Sequence, residues 1–365
     1  MVSSVKRHQL PIMAANPLHH DYPWTTEDAP LVVSAPMMKI TLAEAAIATS
    51  AAGGIGFLAG GFDLSPLSKD LAKAAEVAQE RGLTLHQGVL PIGVGFQNWG
   101  SDLKLALDAL LAHPVAAVWF FAPHQLADLL DWSEQIRTAT GGKTKIWIQV
   151  GTVAEAIEVA RTSKPDVIVV QGSDAGGHGL AQRASLMTLL PEVADALAKD
   201  DLHTPLIAAG GIIDGRGAAA ALSLGASGVA LGTRILASRE AVIAKGYQDE
   251  VLRVTDGGTS TVTTTVYDVV RNIKGWPKCY NGRGVANRSY MDAVHGMSDE
   301  ENQELYKKAM EQGDAGWGPD GRMTTYAGTG IGLVNQVDSI ADIIQSVQQQ
   351  AVDTLQRSAA RFAKP

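Results

Sequence analysis

The stretch LIAAGGIIDGRGAAAALSLGASGVALGTR, residues 206–234, holds one complete structural repeat and the start of the next. A short apolar run ends in Gly210-Gly211, an alanine-rich segment of helical spacing follows, and a second apolar run ends in Gly232-Thr233. A strand that stops at a glycine pair, then a helix, then a strand again is the β/α unit of a parallel sheet.

Outward from this unit the alternation repeats. Eight candidate strands fall at residues 31–37, 54–60, 85–94, 115–121, 145–150, 166–172, 205–211 and 228–233, with helical patterns such as TLAEAAIATSAAG and TVAEAIEVARTS between them. Eight strands separated by helices suit a closed (β/α)8 TIM barrel better than an open doubly wound sheet. The unusual residues agree. Pro36-Met37, Gly60-Gly61, Gly93, the glycine loop after Gln171, Gly210-Gly211 and Gly232-Thr233 all sit at C-terminal strand ends, the rim that carries the active site in such barrels.

The expected organisation is a barrel over 1–250 with an N-terminal extension and an insertion or small second lobe over 251–335 that covers the barrel mouth. A C-terminal helix over 336–365 then packs back on the barrel. The change after 250 is compositional: TDGGTSTVTTTVYDVV is threonine- and glycine-rich and polar, unlike the apolar runs before it.

Composition narrows the function. A chain of 365 residues with 46% apolar content can bury a large core, and a net charge of −8 with no basic stripe argues against nucleic acid as a partner. The single Cys279 rules out an intramolecular disulfide framework and favours a reducing compartment, hence a cytoplasmic enzyme. The N-terminus lacks a signal-like apolar core and no run approaches the roughly 18 apolar residues of a membrane span, so no membrane partner is expected. No H-E-x-x-H or H-x-H spacing appears, so no metal is expected, and no G-x-S-x-G elbow marks a serine hydrolase. A monomer or homodimer acting on a small molecule fits this profile.

A glycine pair and a Gly-Thr step at adjacent strand ends, Gly210-Gly211 and Gly232-Thr233, suit the phosphate cradle that the last two loops of a barrel commonly supply, with the Thr233 hydroxyl and Arg234 as extra donors. Tight turns alone could also explain the glycines. For a planar ring, Met37 and Met38 offer polarizable sulfur, and Gln149 and Gln171 are amides at the ends of otherwise apolar strands, satisfied by a ligand or by neighbouring loops. Among the histidines, His178 in QGSDAGGHG has the strongest case as a general base: Gly176 and Gly177 let main chain approach a flat ligand while the imidazole projects. His86 lies in an expected strand, His124 at the rim and His295 in the insertion. Trp119, Phe120, Phe121, His124, Trp276 and Tyr326 are candidate pocket walls. Asp174 either fixes the loop or orients a neighbour.

In order and spacing, SAPMM, IQVGTVAEA, VVQGSDAGGHG, LIAAGGIIDGRG and GASGVALGTR resemble the nitronate monooxygenase (2-nitropropane dioxygenase) family, with YDVVRNIKGWP and NGRGVANR as looser matches. The resemblance implies an FMN-dependent TIM barrel. It implies that Pro36, Met37 and Met38 line the flavin, that Gln149 and Gln171 hydrogen-bond it, and that Gly176 and Gly177 pack beside it. Gly210, Gly211, Gly232, Thr233 and Arg234 would hold its phosphate, and His178 would be the base. The implied reaction converts nitronates or nitroalkanes, with O2, to carbonyl compounds and nitrite. The third strand departs from the family: where some members place an asparagine against the flavin, Gly88 to Gly93 offers no amide. Alternatives on the same scaffold are an enoyl-thioester reductase drawing hydride from a nicotinamide cofactor, or a flavin-dependent tailoring oxidoreductase on a larger metabolite. An inert barrel that binds a phosphorylated small molecule, with His178 structural, is the third.

Overall fold

A computed structural model describes residues 18–362. Eight strands close a parallel barrel: β1 (Leu31–Ser34), β2 (Ile55–Gly61), β3 (Leu90–Gln97), β4 (Val115–Phe121), β5 (Lys145–Val150), β6 (Val167–Gln171), β8 (Leu206–Ala209) and β9 (Gly228–Leu231). Closure is made by β1 against β9, in register from Leu31 opposite Gly228 to Ser34 opposite Leu231. The expected (β/α)8 barrel is therefore the fold. The third strand is displaced from the expected 85–94, because Gln87 and Gly88 both take positive φ and turn the chain between His86 and Val89. His86 is thus in a turn before the strand, and the strand runs on to Gln97.

Inside the barrel, Phe57, Trp119 and Trp147 pack with rings 4.9–6.0 Å apart above Tyr22, whose hydroxyl accepts from Trp147 Nε1 at 2.6 Å. Segment 18–24 thereby plugs the bottom. Gly93 makes room for this floor, since a Cβ there would lie 2.2 Å from the Phe57 ring. A second apolar layer, which includes Phe120, fills the space between strands and outer helices. Such dense aromatic packing fills the barrel interior at this end, and the main cavity opens at the opposite, C-terminal end of the strands.

The glycine-rich loop after β6 is not wholly irregular. Residues Gly177–Leu180 form β7, which pairs antiparallel with β11 (Tyr280–Val285), and β11 pairs with β10 (Thr261–Thr264). Backbone hydrogen bonds thus tie the barrel's own loop into the lobe that follows residue 250. An apolar cluster with Ile213 and Leu236 on the barrel side and Val251, Val285 and Ile331 on the lobe side completes the joint. The last helix, Ile340–Phe362, packs on the outer helices Gly215–Ser223 and Ala43–Ala51. Gly215 permits the close approach, because a Cβ would meet Gln350 at 2.3 Å. No helix among the described residues is long and apolar enough to cross a membrane.

Candidate active site

A cavity of about 520 Å³ opens at the C-terminal ends of the barrel strands, within the range that encloses cofactor-sized ligands. Pro36, Met37, Met38, Gln149, Gln171, Gly176, Gly177, His178, Gly210, Gly211, Gly232 and Thr233 all line it. Arg234 does not join them. Its guanidinium turns to the Asp338 carboxylate and to the carbonyls of Ala237 and Gln336, at 3.2 and 3.3 Å. The side chain expected to donate to a phosphate is thus engaged by an acidic residue far along the chain, outside the cavity lining. The Thr233 hydroxyl accepts from Gly328 N at 2.9 Å and keeps its own proton to donate.

Both glutamines divide their polar ends. Gln149 Oε1 accepts from Trp119 Nε1 at 3.0 Å, and Gln171 Nε2 donates to the His178 carbonyl at 3.2 Å. A neighbouring strand's indole thus accounts for one end of Gln149 and the loop after β6 for one end of Gln171; the other ends, Gln149 Nε2 and Gln171 Oε1, have no partner among the described residues. At the end of the displaced third strand stands Gln97, which lines the cavity and has a buried Oε1 with no hydrogen-bond partner.

Two guanidiniums hold the bare loop in shape. Arg183 donates to the carbonyls of Gly172, at 3.1 Å, and Leu180, while Arg283 donates to that of Ser173 at 3.2 Å. Burial and the nearby Arg283 charge push Arg183 down to about 10, still protonated at neutral pH. Asp174, whose role the sequence leaves open, fixes the loop to the lobe: its Oδ1 accepts from Thr329 Oγ1 at 2.9 Å and its carbonyl from Thr329 N at 3.0 Å. A Cβ at Gly176 would lie 2.4 Å from the Ala327 carbonyl carbon, so these two loops meet only because one side chain is absent.

The loop presents His178 inside a cage built by the lobe. Its Nε2 lies 2.8 and 3.0 Å from the two oxygens of Asp268, and its ring stacks on Trp276 with centroids 3.8 Å apart and planes 2° from parallel. Tyr326 packs beside it and donates its hydroxyl to Asp268 Oδ1 at 3.2 Å. Burial, with the Asp268 charge, raises the Tyr326 hydroxyl well above the usual tyrosine range, so it stays a donor. Opposite His178 in the ladder is Gly282, where a Cβ would lie 2.7 Å from the Tyr326 ring. Arg271, also lining the cavity, sits over the Tyr326 ring at 5.5 Å. The arrangement can accept a proton at an oriented imidazole beside a glycine-walled cleft.

The family model for nitronate monooxygenases matches residues 129–350, from the helix before β5 into the last helix. The chain belongs to the nitronate monooxygenase family. It is 47% identical over 334 residues to nitronate monooxygenase npaC of Metarhizium robertsii, covering 90% of this chain and 92% of that one. It is 34% identical to a nitronate monooxygenase of Neurospora crassa, covering 97% of each. A nitroalkane oxidase structure from Streptomyces ansochromogenes shares the fold, with a TM-score of 0.67 at 23% identity over 91% of this chain and 98% of that one. As a member of the nitronate monooxygenase family the chain is an oxidoreductase acting on a small molecule, with a flavin as cofactor.

Within this family member, the expected pocket walls divide. Trp119, Phe121, Trp276 and Tyr326 line the cavity; Phe120 is buried behind the strands and His124 is exposed outside it. His295 is exposed on the lobe and bonds the Met291 carbonyl at 2.6 Å. Sequence reasoning missed Gln97, Asp268 and Arg271. A signal existed for Asp268, an acid set inside the apolar run VYDVV.

Proposed function

We propose that the cavity binds FMN and converts nitronates and nitroalkanes, with O2, to carbonyl compounds and nitrite, with His178 taking the α-proton of neutral nitroalkanes. The observation that carries this reading is the caged imidazole: a histidine fixed by Asp268 and Trp276 at the edge of a cleft whose walls are glycine, methionine and amide.

The residues present fit the cofactor. The buried, unpartnered Gln97 Oε1 is costly unless a ligand donates to it. Gly232 has an ordinary φ of −105°, and a Cβ there would meet nothing within 4 Å, so neither backbone strain nor protein packing requires glycine at this position. The space it leaves is space for a ligand. In this reading Pro36, Met37 and Met38 lie along the flavin, Gly176 and Gly177 pack beside it, and Gln97, Gln149 and Gln171 bond its polar edges. Backbone N–H groups at Gly210, Gly211, Gly232 and Thr233, with the Thr233 hydroxyl, receive the phosphate.

Bound FMN would supply the electron acceptor, with O2 as the final oxidant. The protein does the rest. A nitroalkane α-proton is acidic because its anion delocalises onto the nitro oxygens, and an imidazole in contact with that carbon removes it. Substrate that arrives as a nitronate needs no such step. Residues 251–335 serve as the fixed cover of the barrel mouth, and the helix Ile340–Phe362 as its return to the barrel.

The test is an anaerobic titration of the purified holoenzyme with ethylnitronate, nitroethane, NADH and NADPH in separate cuvettes. Bleaching of the flavin absorbance by the nitronate and the nitroalkane, with neither nicotinamide reacting on the same timescale, is the expected result. Rapid bleaching by NADPH with inertness to the nitronate overturns the proposal in favour of a reductase.

A further inference from the structure

We infer that Asp268 is a positioning residue for His178, holding the imidazole in the tautomer with its proton on Nε2 and so assigning the base to Nδ1. This rests on His178 being the base, but its structural half stands without it.

Both side chains are about nine-tenths buried, at 10% and 11% exposure, so the contact is made out of bulk water. Two oxygens of one carboxylate lie at 2.8 and 3.0 Å from the same nitrogen, and a carboxylate can only accept. Nε2 is therefore the ring's N–H. The other oxygen-side donor is Tyr326, which stays protonated and bonds Oδ1 at 3.2 Å, so the carboxylate is itself fixed from a second direction. A half-turn of the ring would set a C–H against the carboxylate and forfeit a charge-assisted bond, and the parallel Trp276 face, with centroids 3.8 Å apart, opposes any turn of the ring out of its plane. Nδ1 has no partner among the described residues, and His178 lines the cavity. Asp268 comes from the lobe and His178 from the barrel loop, joined by the β7–β11 ladder, so the lobe sets the protonation pattern of a residue it does not carry.

The experiment uses holoenzyme labelled with 15N in the histidine rings, the His178 signals being identified by their loss in His178→Asn. In the unaltered enzyme above the imidazole titration, one ring nitrogen carries the proton and it is Nε2. In Asp268→Asn, whose amide can itself donate to Nε2, the proton is expected to move wholly or partly to Nδ1. Nitroethane kcat should fall by roughly 100-fold, with ethylnitronate turnover and bound flavin within about twofold of normal. Asp268→Glu, which keeps the carboxylate, should recover most of the loss. An unchanged tautomer in Asp268→Asn overturns the inference, as does equal loss of nitroethane and ethylnitronate activity in both variants, which marks a purely structural role. Nitroethane turnover surviving in His178→Asn is a different failure: it removes the base and leaves the tautomer result to be read on its own.

Discussion

The barrel and the lobe build opposite halves of one cavity from opposite materials. The barrel contributes strand ends bearing glycine, methionine and glutamine, surfaces defined by what they lack; the lobe contributes Asp268, Arg271, Trp276 and Tyr326, side chains with charge and aromatic faces. A parallel barrel has no room for such groups among its strands, whose interior is filled by Phe57, Trp119 and Trp147. Shape therefore comes from the barrel, and control of the imidazole from a segment that is not part of its repeat.

This contrast can be broken from the barrel side. Gly232→Leu fills cavity rather than protein, so we expect FMN affinity to fall by roughly 100-fold or more while the apoprotein melts within a degree or two of the parent. Fluorescence titration of FMN with apoprotein, alongside a melting curve, reads both; retained affinity would show that the space at Gly232 is not the cofactor's. A smaller pair of effects sharpens the picture. Gln97→Leu should weaken FMN binding by about tenfold, the value of one hydrogen bond to a buried acceptor. Arg234→Gln should leave binding within about twofold and lower the melting temperature instead, since its guanidinium serves Asp338. The reverse order in the same titration would return Arg234 to the phosphate.

The barrel was legible because its repeat is local: each apolar run, glycine and helix announces itself within some thirty residues. The one displaced strand shows where that signal gives out. LHQGVLPIGVGFQ is apolar and glycine-rich at both ends, and only the positive φ of Gln87 and Gly88 decides where pairing begins. This shift hid Gln97, the amide that the apparent third strand lacked. β7 was hidden for another reason. GHGL has no apolar pattern, and it becomes a strand because β11 supplies a partner from a hundred residues away. Asp268 is half of this class: an acid inside VYDVV stands out, but nothing near it points to the histidine that the fold alone brings to it. Arg234 differs again: its place beside Gly232-Thr233 is plain in the sequence, while its partner Asp338 lies 104 residues along the chain.

The central claim is that His178 removes a proton and does little to hold the cofactor. It is tested most directly by steady-state kcat/KM of His178→Asn for nitroethane and for ethylnitronate, with flavin content measured on the same samples. Nitroethane turnover is expected to fall by roughly 100-fold or more while ethylnitronate turnover and flavin content hold near the parent values. A parallel fall in both substrates, or nitroethane turnover that survives, contradicts it.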